Sequence, residues 1–519
     1  MRSRSCEKVM RMNDNSPWVL IMALAMFGTK VDAARFNVLF IAVDDMRPAL
    51  GCYGDPVAVT PHIDALAAGG TIFLRAYCQQ SVCNASRASI MTGRRPDTTQ
   101  VFDLKTHFRE ALPDVVTLPQ RFREAGYRSL SVGKIYHGAK GYAFGNGIDD
   151  DPSWSENPWF PRLDYYHTDE GIHIAEEWYE AHRVALAKAY PQLGTPDATW
   201  RDAVVRGLPW ESPDVVDDEL ADGQIAAKAV AYLRECADRD EPFFLAVGFL
   251  KPHVPFVAPK RYFDLHPPES IPPVPNPFFP HGAPGFSHLD SAEMRVYHGI
   301  PPRRGQSVAD DERTQEMRRA YHACVSFVDA QVGRLTAALE ELGLEEDTIV
   351  CLWGDHGYHL GENGMWCKQT NFELSCHSPL ILRVPGQANP GARTQALVEF
   401  VDVMPTLYDA CGLSADEAAE GTSLLPLMKE PDRPWKKAAF SQYPRTLEKV
   451  GAVMGRSMRT DRWRFTEWRD EPGTFRMVEL YDMLNDPMGN ENVAKREDHA
   501  RLIQSLTRQL RAGWKEARP

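Results

Sequence analysis

The sequence predicts an α/β protein with a large, mostly parallel central sheet flanked by helices and a smaller C-terminal α+β subdomain. Three observations predict it. Continuous apolar runs of strand length recur along the chain, the mark of strands buried on both faces. Helix-period stretches separate them, the alternation that builds parallel sheets. After about Glu430 the pattern changes to strands of alternating polarity closed by an amphipathic helix.

In chain order, Arg2, Arg4, Lys8 and Arg11 precede an apolar run over 18–27, and Val31-Asp32-Ala33 reads as a small-residue cleavage site. Residues 1–33 are therefore predicted to be a signal peptide, and the mature chain to be exported, periplasmic or extracellular. The run is shorter than the ~20 residues that span a bilayer, so no stable membrane insertion is expected. Residues 36–43 form the first buried strand, which stops at Asp44-Asp45. Thr60-Pro61 opens a helix with Ile63, Leu66 and Ala67 on one side. Further buried strands are predicted over 129–132, 243–248, 348–353 and 380–384. The clearest helix runs over 311–342, where Val325, Val328, Val332, Leu335, Leu339 and Leu342 keep one face apolar. Residues 141–210 and 252–302 show no clean period, and loops of that length are usually walls or lids of a site. Residues 460–468 and 477–481 read as paired strands and 498–515 as a closing helix. The expected organisation is a catalytic domain over 34–430 and a C-terminal subdomain over 431–519.

Composition narrows the function. Lys and Arg number 58 against 71 Asp and Glu, a formal net charge of −13, whereas gripping nucleic acid calls for a basic surplus. Ten cysteines in 519 residues is no disulfide-scaffold density, and closely spaced CxxC pairs are absent, which argues against zinc ribbons and thioredoxin-type chemistry.

Chemistry begins where strands end, because ligands of open α/β sheets gather beyond the carboxyl ends of the strands. Adjacent carboxylates such as Asp44 and Asp45 repel each other unless a cation joins them. A second acidic point, Asp355-His356, follows the strand over 348–353. Three aspartates from two strand ends make an oxygen cage for Ca²⁺ or Mg²⁺, while His356 is a softer ligand that also suits a transition metal. Cys83, before a helix start, is either a packing residue or a thiolate helped by Arg87 and the helix N-terminus.

Cys83-Asn84-Ala85-Ser86-Arg87, followed by Thr92-Gly93-Arg94, resembles the signature of the formylglycine-dependent sulfatases of the alkaline-phosphatase superfamily, with Ala85 where the commonest motif has Pro. Residues 76–83, 94–98, 243–248 and 441–445 narrow the resemblance to the iduronate 2-sulfatase group and its bacterial relatives. So do the spacing of Gly133-Lys134-Ile135-Tyr136-His137 and the Asp355-His356 pair, where most sulfatases have Asp-Asn. The resemblance implies an alkaline-phosphatase-like fold and Ca²⁺ held by Asp44, Asp45, Asp355, His356 and the modified Cys83. It implies that Arg87, Lys134 and His137 hold the formylglycine and the sulfate, and that His253 and Lys368 face the ester oxygen. A formylglycine-generating maturation enzyme and a sulfated saccharide, expected to be a uronic acid 2-O-sulfate, are the implied partners. A hydrated aldehyde explains the modification: one hydroxyl attacks sulfur and the other, losing its proton, expels the covalent sulfate.

Lys105, His107 and Arg109 form an alternating cationic run suited to a substrate carboxylate, and Trp366 suits stacking on a sugar ring. Two other readings are less well supported by the residues. A phosphomonoesterase or phosphodiesterase on the same scaffold calls for a Thr or Ser nucleophile and a second-metal ligand set, and neither is evident. A silent carbohydrate-binding relative calls for a damaged constellation, whereas every position is filled.

Overall fold

The first predicted strand, β1 (Asn37–Val43), lies inside a seven-stranded sheet and sends alternate side chains to opposite faces. Leu39, Ile41 and Val43 enter one hydrophobic core, and Val38, Phe40 and Ala42 enter the other. This two-sided burial is why the run carries no polar alternation. The computed structural model describes residues 36–137, 149–189, 205–301 and 308–519, so the expected signal peptide lies outside the described residues. Arg35–Pro519 form one compact unit.

The other strands of the sheet are β2 (Thr71–Tyr77), β3 (Arg128–Gly133), β4 (Phe243–Phe249), β5 (Thr348–Gly354), β6 (Leu380–Arg383) and β7 (Ala392–Glu399). Their spatial order is β7-β2-β6-β5-β1-β4-β3. Only β6 runs against its neighbours, so the sheet is mostly parallel, as the alternation predicts. One face is covered by α1 (Pro61–Gly69) and, further along the chain, by the helices Ala221–Ala237 and Asp311–Glu341. The opposite face is covered by α2 (Cys83–Thr92), Leu118–Glu124 and Val403–Ala410.

Several elements depart from the sequence expectation, among them β2, β7, one helix and the first two strands of the C-terminal subdomain, Ala439–Leu447 and Gly451–Arg459. Strand β2 was not foreseen, and it holds the half-buried Leu74 and Arg75 in its middle. Strand β7 sits at the sheet edge and keeps exposed polar residues. The helix Asp169–Ala189 lies in a stretch read as irregular; it is largely exposed and buries only a narrow stripe, with Ile172, Ala175 and Trp178 packing in a small cluster with Tyr166 and Val205.

The C-terminal strands are β8 (Ala439–Leu447), β9 (Gly451–Arg459), β10 (Trp463–Asp470) and β11 (Arg476–Asp482), an antiparallel meander. Met458, Phe465 and Leu480 pack against Leu506 and Leu510 of the closing helix Ala500–Ala512. The meander also grips the loop that carries Lys368. Arg445 donates to Gln369 O at 2.7 Å, Arg464 to Asn371 O at 3.2 Å, and Asn371 Nδ2 to Gly455 O at 3.1 Å.

Candidate active site

Four adjacent parallel strands end in register, and each delivers functional side chains within a few residues of its last pair. Val43 pairs with both Gly354 and Phe249, and Gly133 with Gly248. Past these pairs come Asp44-Asp45, Asp355-His356, Lys134 with His137, and His253. The ladder continues one step beyond the strands through Asp44 N to Phe249 O, Asp355 N to Val43 O and Lys134 N to Gly248 O. Two glycines permit this close exit. A Cβ on Gly133, whose φ is +75°, would meet Gly248 O at 2.2 Å, and one on Gly248 would meet Lys134 O at 2.0 Å.

From the other side, α2 presents its first residue, Cys83, and one turn later Arg87, on the same helix face. The Arg87 guanidinium, fully buried, donates to Asp355 Oδ2 at 2.9 Å, to Asp44 Oδ1 at 3.2 Å and to the carbonyls of Lys134 and Ile135. Lys134 Nζ donates to Asp44 Oδ2. Lys368 Nζ donates to both Asp45 oxygens at 2.8 Å. Cys83 Sγ lies 3.3 Å from His356 Nε2, whose ring donates from Nδ1 to Gly357 O at 3.0 Å. That second contact leaves the Nε2 lone pair facing the acidic cluster.

Asp45 has φ 61°, unusual for a non-glycine residue, and Tyr321 of the helix Asp311–Glu341 holds it by donating to Asp45 O at 2.8 Å. Cys367 and Gln369, on either side of Lys368, are also left-handed, at φ 70° and 72°. Such conformations cost about 1–3 kcal/mol each and persist where surrounding structure enforces them.

The electrostatics follow from this packing. Burial opposes the Asp44 charge, but Lys134, His253 and Arg87 outweigh it and hold the carboxyl well below its usual range. Burial likewise opposes the Lys368 charge, and Asp45 and Glu293 raise it well above the ordinary lysine value. Burial first, then the Lys134 charge, pushes the His137 imidazole well below its usual range, so it stands neutral. Burial and the Asp44 charge push the Cys83 thiol well up. An unmodified Cys83 is thus a protonated thiol, which disfavours the thiolate-nucleophile reading.

The donor set fits a divalent cation. Ligand-type atoms of Asp44, Asp45, Cys83 and His253 lie within 4.8 Å of one another, as do those of Cys83, Asp355 and His356. The two groups share Cys83, and His356 Nε2 lies 3.5 Å from Asp45 Oδ1, so they adjoin. Asp44, Asp45, Asp355 and Glu293 against Arg87, Lys134 and Lys368 leave the site one negative charge when its histidines are neutral. A divalent cation turns that sign positive, as binding of an anionic ester requires.

All the residues expected in the catalytic and metal sets thus converge; the expected substrate contacts do not all join them. Arg109 directs all five N–H groups to Asp150, Gln120 Oε1 and the carbonyls of Pro113 and Val115, which leaves none for a substrate carboxylate. His107 stacks on Phe108 and accepts from Arg109 N at 3.2 Å, a capping role. Lys105 is exposed on a loop that Asn84, next to Cys83, holds through Asp103 O at 3.0 Å and Thr106 O at 2.8 Å. Trp366 is buried and lines a cleft of ≈ 1330 Å³ together with Phe286, His288 and Arg445. Sequence reasoning missed Glu293, which lies 3.0 Å from His253 Nε2 and 3.0 Å from Lys368 Nζ. It sits in a Pro-rich stretch where the expectation went no further than a functional wall.

A mixed α/β sheet whose strand ends gather three aspartates, a histidine and buried cations around a helix-start residue makes a pocket suited to a divalent cation and an anionic ester. Residues 36–413 match the family model "Sulfatase", and residues 361–516 match "N-sulphoglucosamine sulphohydrolase, C-terminal". The chain is 33% identical to human iduronate 2-sulfatase over 91% of its own length and 93% of that protein's. The phosphonate monoester hydrolase of Agrobacterium radiobacter superposes with a TM-score of 0.67 at 23% identity, covering 92% of this chain and 96% of that one. A solved structure described as a 2-O GAG sulfatase superposes at 0.66 and 20% identity, covering 92% of each. The chain belongs to the sulfatase family: it is a type I sulfatase of the alkaline-phosphatase superfamily, a sulfuric ester hydrolase. Among the described residues no helix is long and apolar enough to cross a membrane.

Proposed function

We propose that this sulfatase is exported and removes the 2-O-sulfate from a terminal uronic acid of a sulfated polysaccharide fragment, with formylglycine in place of Cys83 and Ca²⁺ at the acidic cluster. One observation carries the reading. Cys83 stands at a helix start 3.3 Å from His356, inside a ring of Asp44, Asp45, Asp355, Arg87, Lys134 and Lys368. The identity to human iduronate 2-sulfatase supports the uronate preference.

Asp44, Asp45, Asp355 and His356, with residue 83, would hold the ion, whose contribution is Lewis-acid stabilisation of sulfuryl oxygen charge. A hydrated aldehyde at position 83 would supply the attacking hydroxyl and the exit for sulfate, chemistry that a buried, protonated thiol cannot perform. Around them the chain's own groups act. Arg87 fixes Asp44 and Asp355, and Lys134 and Lys368 place positive charge where the sulfuryl oxygens gain negative charge. His253 and Lys368 deliver a proton to the departing sugar oxygen, and neutral His137 accepts one during sulfate release. A formylglycine-generating enzyme is the maturation partner. On this reading residues 1–33 are the signal peptide, 34–430 the catalytic domain and 431–519 the C-terminal subdomain.

The test is sulfate release from a panel of sulfated oligosaccharides. Terminal uronate 2-O-sulfates should give the highest kcat/KM. Faster release from 6-O-sulfated hexosamine would reject the uronate preference, and release from internal positions would reject chain-end action.

A further inference from the structure

We propose that Glu293 is a positioning residue that holds His253 and Lys368 as one unit on the leaving-group side of the sulfate ester. The proposal rests on the sulfatase reading above and assigns a role to a group that reading does not use. Glu293 Oε1 accepts from His253 Nε2 at 3.0 Å, while His253 Nδ1 faces Val254 O at 2.7 Å. Both ring nitrogens therefore face acceptors, and the ring plane is fixed from two sides. Lys368 Nζ lies 3.2 Å from Oε1 and 3.0 Å from Oε2 of the same carboxylate. Its other carboxylate partner is Asp45, a metal-ligand candidate. With Asp45 committed to an ion, Glu293 is the carboxylate among the described contacts that still ties the two proton donors together.

The loop is built to place this side chain. Arg295 donates to Asp290 O and Asp290 Oδ1 at 2.9 Å and to Pro301 O at 2.7 Å, which braces the segment on both sides of Glu293. Ser291 Oγ accepts from Trp366 N at 2.8 Å, coupling the loop to the strand that leads into Lys368. Ser291, Cys367 and Gln369 all take left-handed backbone conformations, so strain sits on both halves of the contact. Burial opposes the Glu293 charge, but Lys368 and His253 prevail and keep it ionised.

In the transfer step a hydroxyl oxygen of the hydrated aldehyde at residue 83 would bond to sulfur, its proton passing to a carboxylate of the acidic cluster, as the S–O bond to the sugar breaks and its electron pair stays on the sugar oxygen. That oxygen takes the proton from Lys368 Nζ–H or from His253 Nε2–H, the N–H that Glu293 Oε1 otherwise accepts, and the Glu293 carboxylate stays ionised. Poor leaving groups depend on that proton and good ones much less.

The experiment compares wild type, Glu293→Gln and Glu293→Asp, with formylglycine occupancy matched by peptide mass spectrometry. Substrates are aryl sulfates of graded phenol acidity and a 2-O-sulfated uronate disaccharide. Glu293→Gln should lower kcat on the disaccharide by about 10²-fold, with a loss on 4-nitrophenyl sulfate at least about tenfold smaller. The dependence of log kcat on leaving-group acidity should steepen, and Glu293→Asp should recover part of the loss. Equal losses on every leaving group, or none, would overturn the proposal; should Glu293→Gln fail to fold, the same comparison with Glu293→Asp decides it. A wild type inactive on every sulfate ester would instead overturn the sulfatase reading.

Discussion

The backbone N–H of Asp45 donates to Oδ1 of Asp355 at 3.0 Å, joining the ends of two neighbouring strands across 310 residues of sequence. Asp355 also accepts from Arg87, so one carboxylate sets both the acidic turn and the helix that presents Cys83. Asp355→Ala leaves the fully buried Arg87 with Asp44 as its remaining carboxylate. Thermal unfolding should show destabilisation on the order of 3 kcal/mol, and sulfate release should vanish. Unchanged stability would show that the Asp355–Arg87 pair does not organise the site.

Metal removal gives the second expectation. Chelation should abolish activity, and re-addition of Ca²⁺ should restore it and raise the melting temperature, with about 2.7 kcal/mol of stabilisation at one hundred times Kd. Elemental analysis and calorimetry decide the identity. Stoichiometric zinc, with rescue by zinc and not calcium, would mean that the softer His356 selects the ion.

The cationic run separates fold from specificity. Arg109→Ala exposes the buried Asp150 to the loss of its partner and should destabilise the protein on the order of 3 kcal/mol, with equal activity losses on uronate and aryl sulfates in the folded fraction. Lys105→Ala should leave stability within about 0.5 kcal/mol and raise KM for a uronate substrate more than for an aryl sulfate. A Lys105→Ala enzyme that loses both substrates equally would remove Lys105 from substrate recognition.

Acid stability has a local source. Burial disfavours the Glu362 charge, yet Arg47 at 2.9 Å and Arg318 at 3.3 Å lower its carboxyl to about 2. An unfolded Glu titrates near about 4.3. The stabilisation is therefore present above that value and is lost as pH falls toward 2, on the order of 3 kcal/mol in all. Glu362→Gln should lower the melting temperature at pH 7 and flatten its decline between pH ~5 and ~2. An equally steep decline in the variant would place the acid sensitivity elsewhere.

What the sequence revealed follows from where burial is two-sided. Strands β1, β4 and β5 carry unbroken apolar runs because both faces are covered, and the charged residues that stop those runs are the site. Strand β7 and the helix Asp169–Ala189 lacked that signature because solvent covers much of each. Glu293 was invisible for another reason. Its partners lie 40 and 75 residues away, and a lone carboxylate in a Pro-rich loop has no period to betray it. Arg109 misled in the opposite direction, since an alternating cationic run reads alike whether its partners are a ligand or, as here, Asp150 and two carbonyls.

Cys83 is the residue on which everything else converges. It is 1% exposed, its thiol is held protonated, and His356, Asp44, Lys134 and Lys368 surround it. Cys83→Ala should end turnover and change stability by no more than about 1 kcal/mol, because the side chain contributes chemistry more than packing. The most direct measurement is peptide mass spectrometry across residue 83 of a preparation whose sulfate release has just been quantified. Turnover proportional to the fraction carrying formylglycine is the expected result. Full activity from protein carrying only unmodified Cys83 would contradict it.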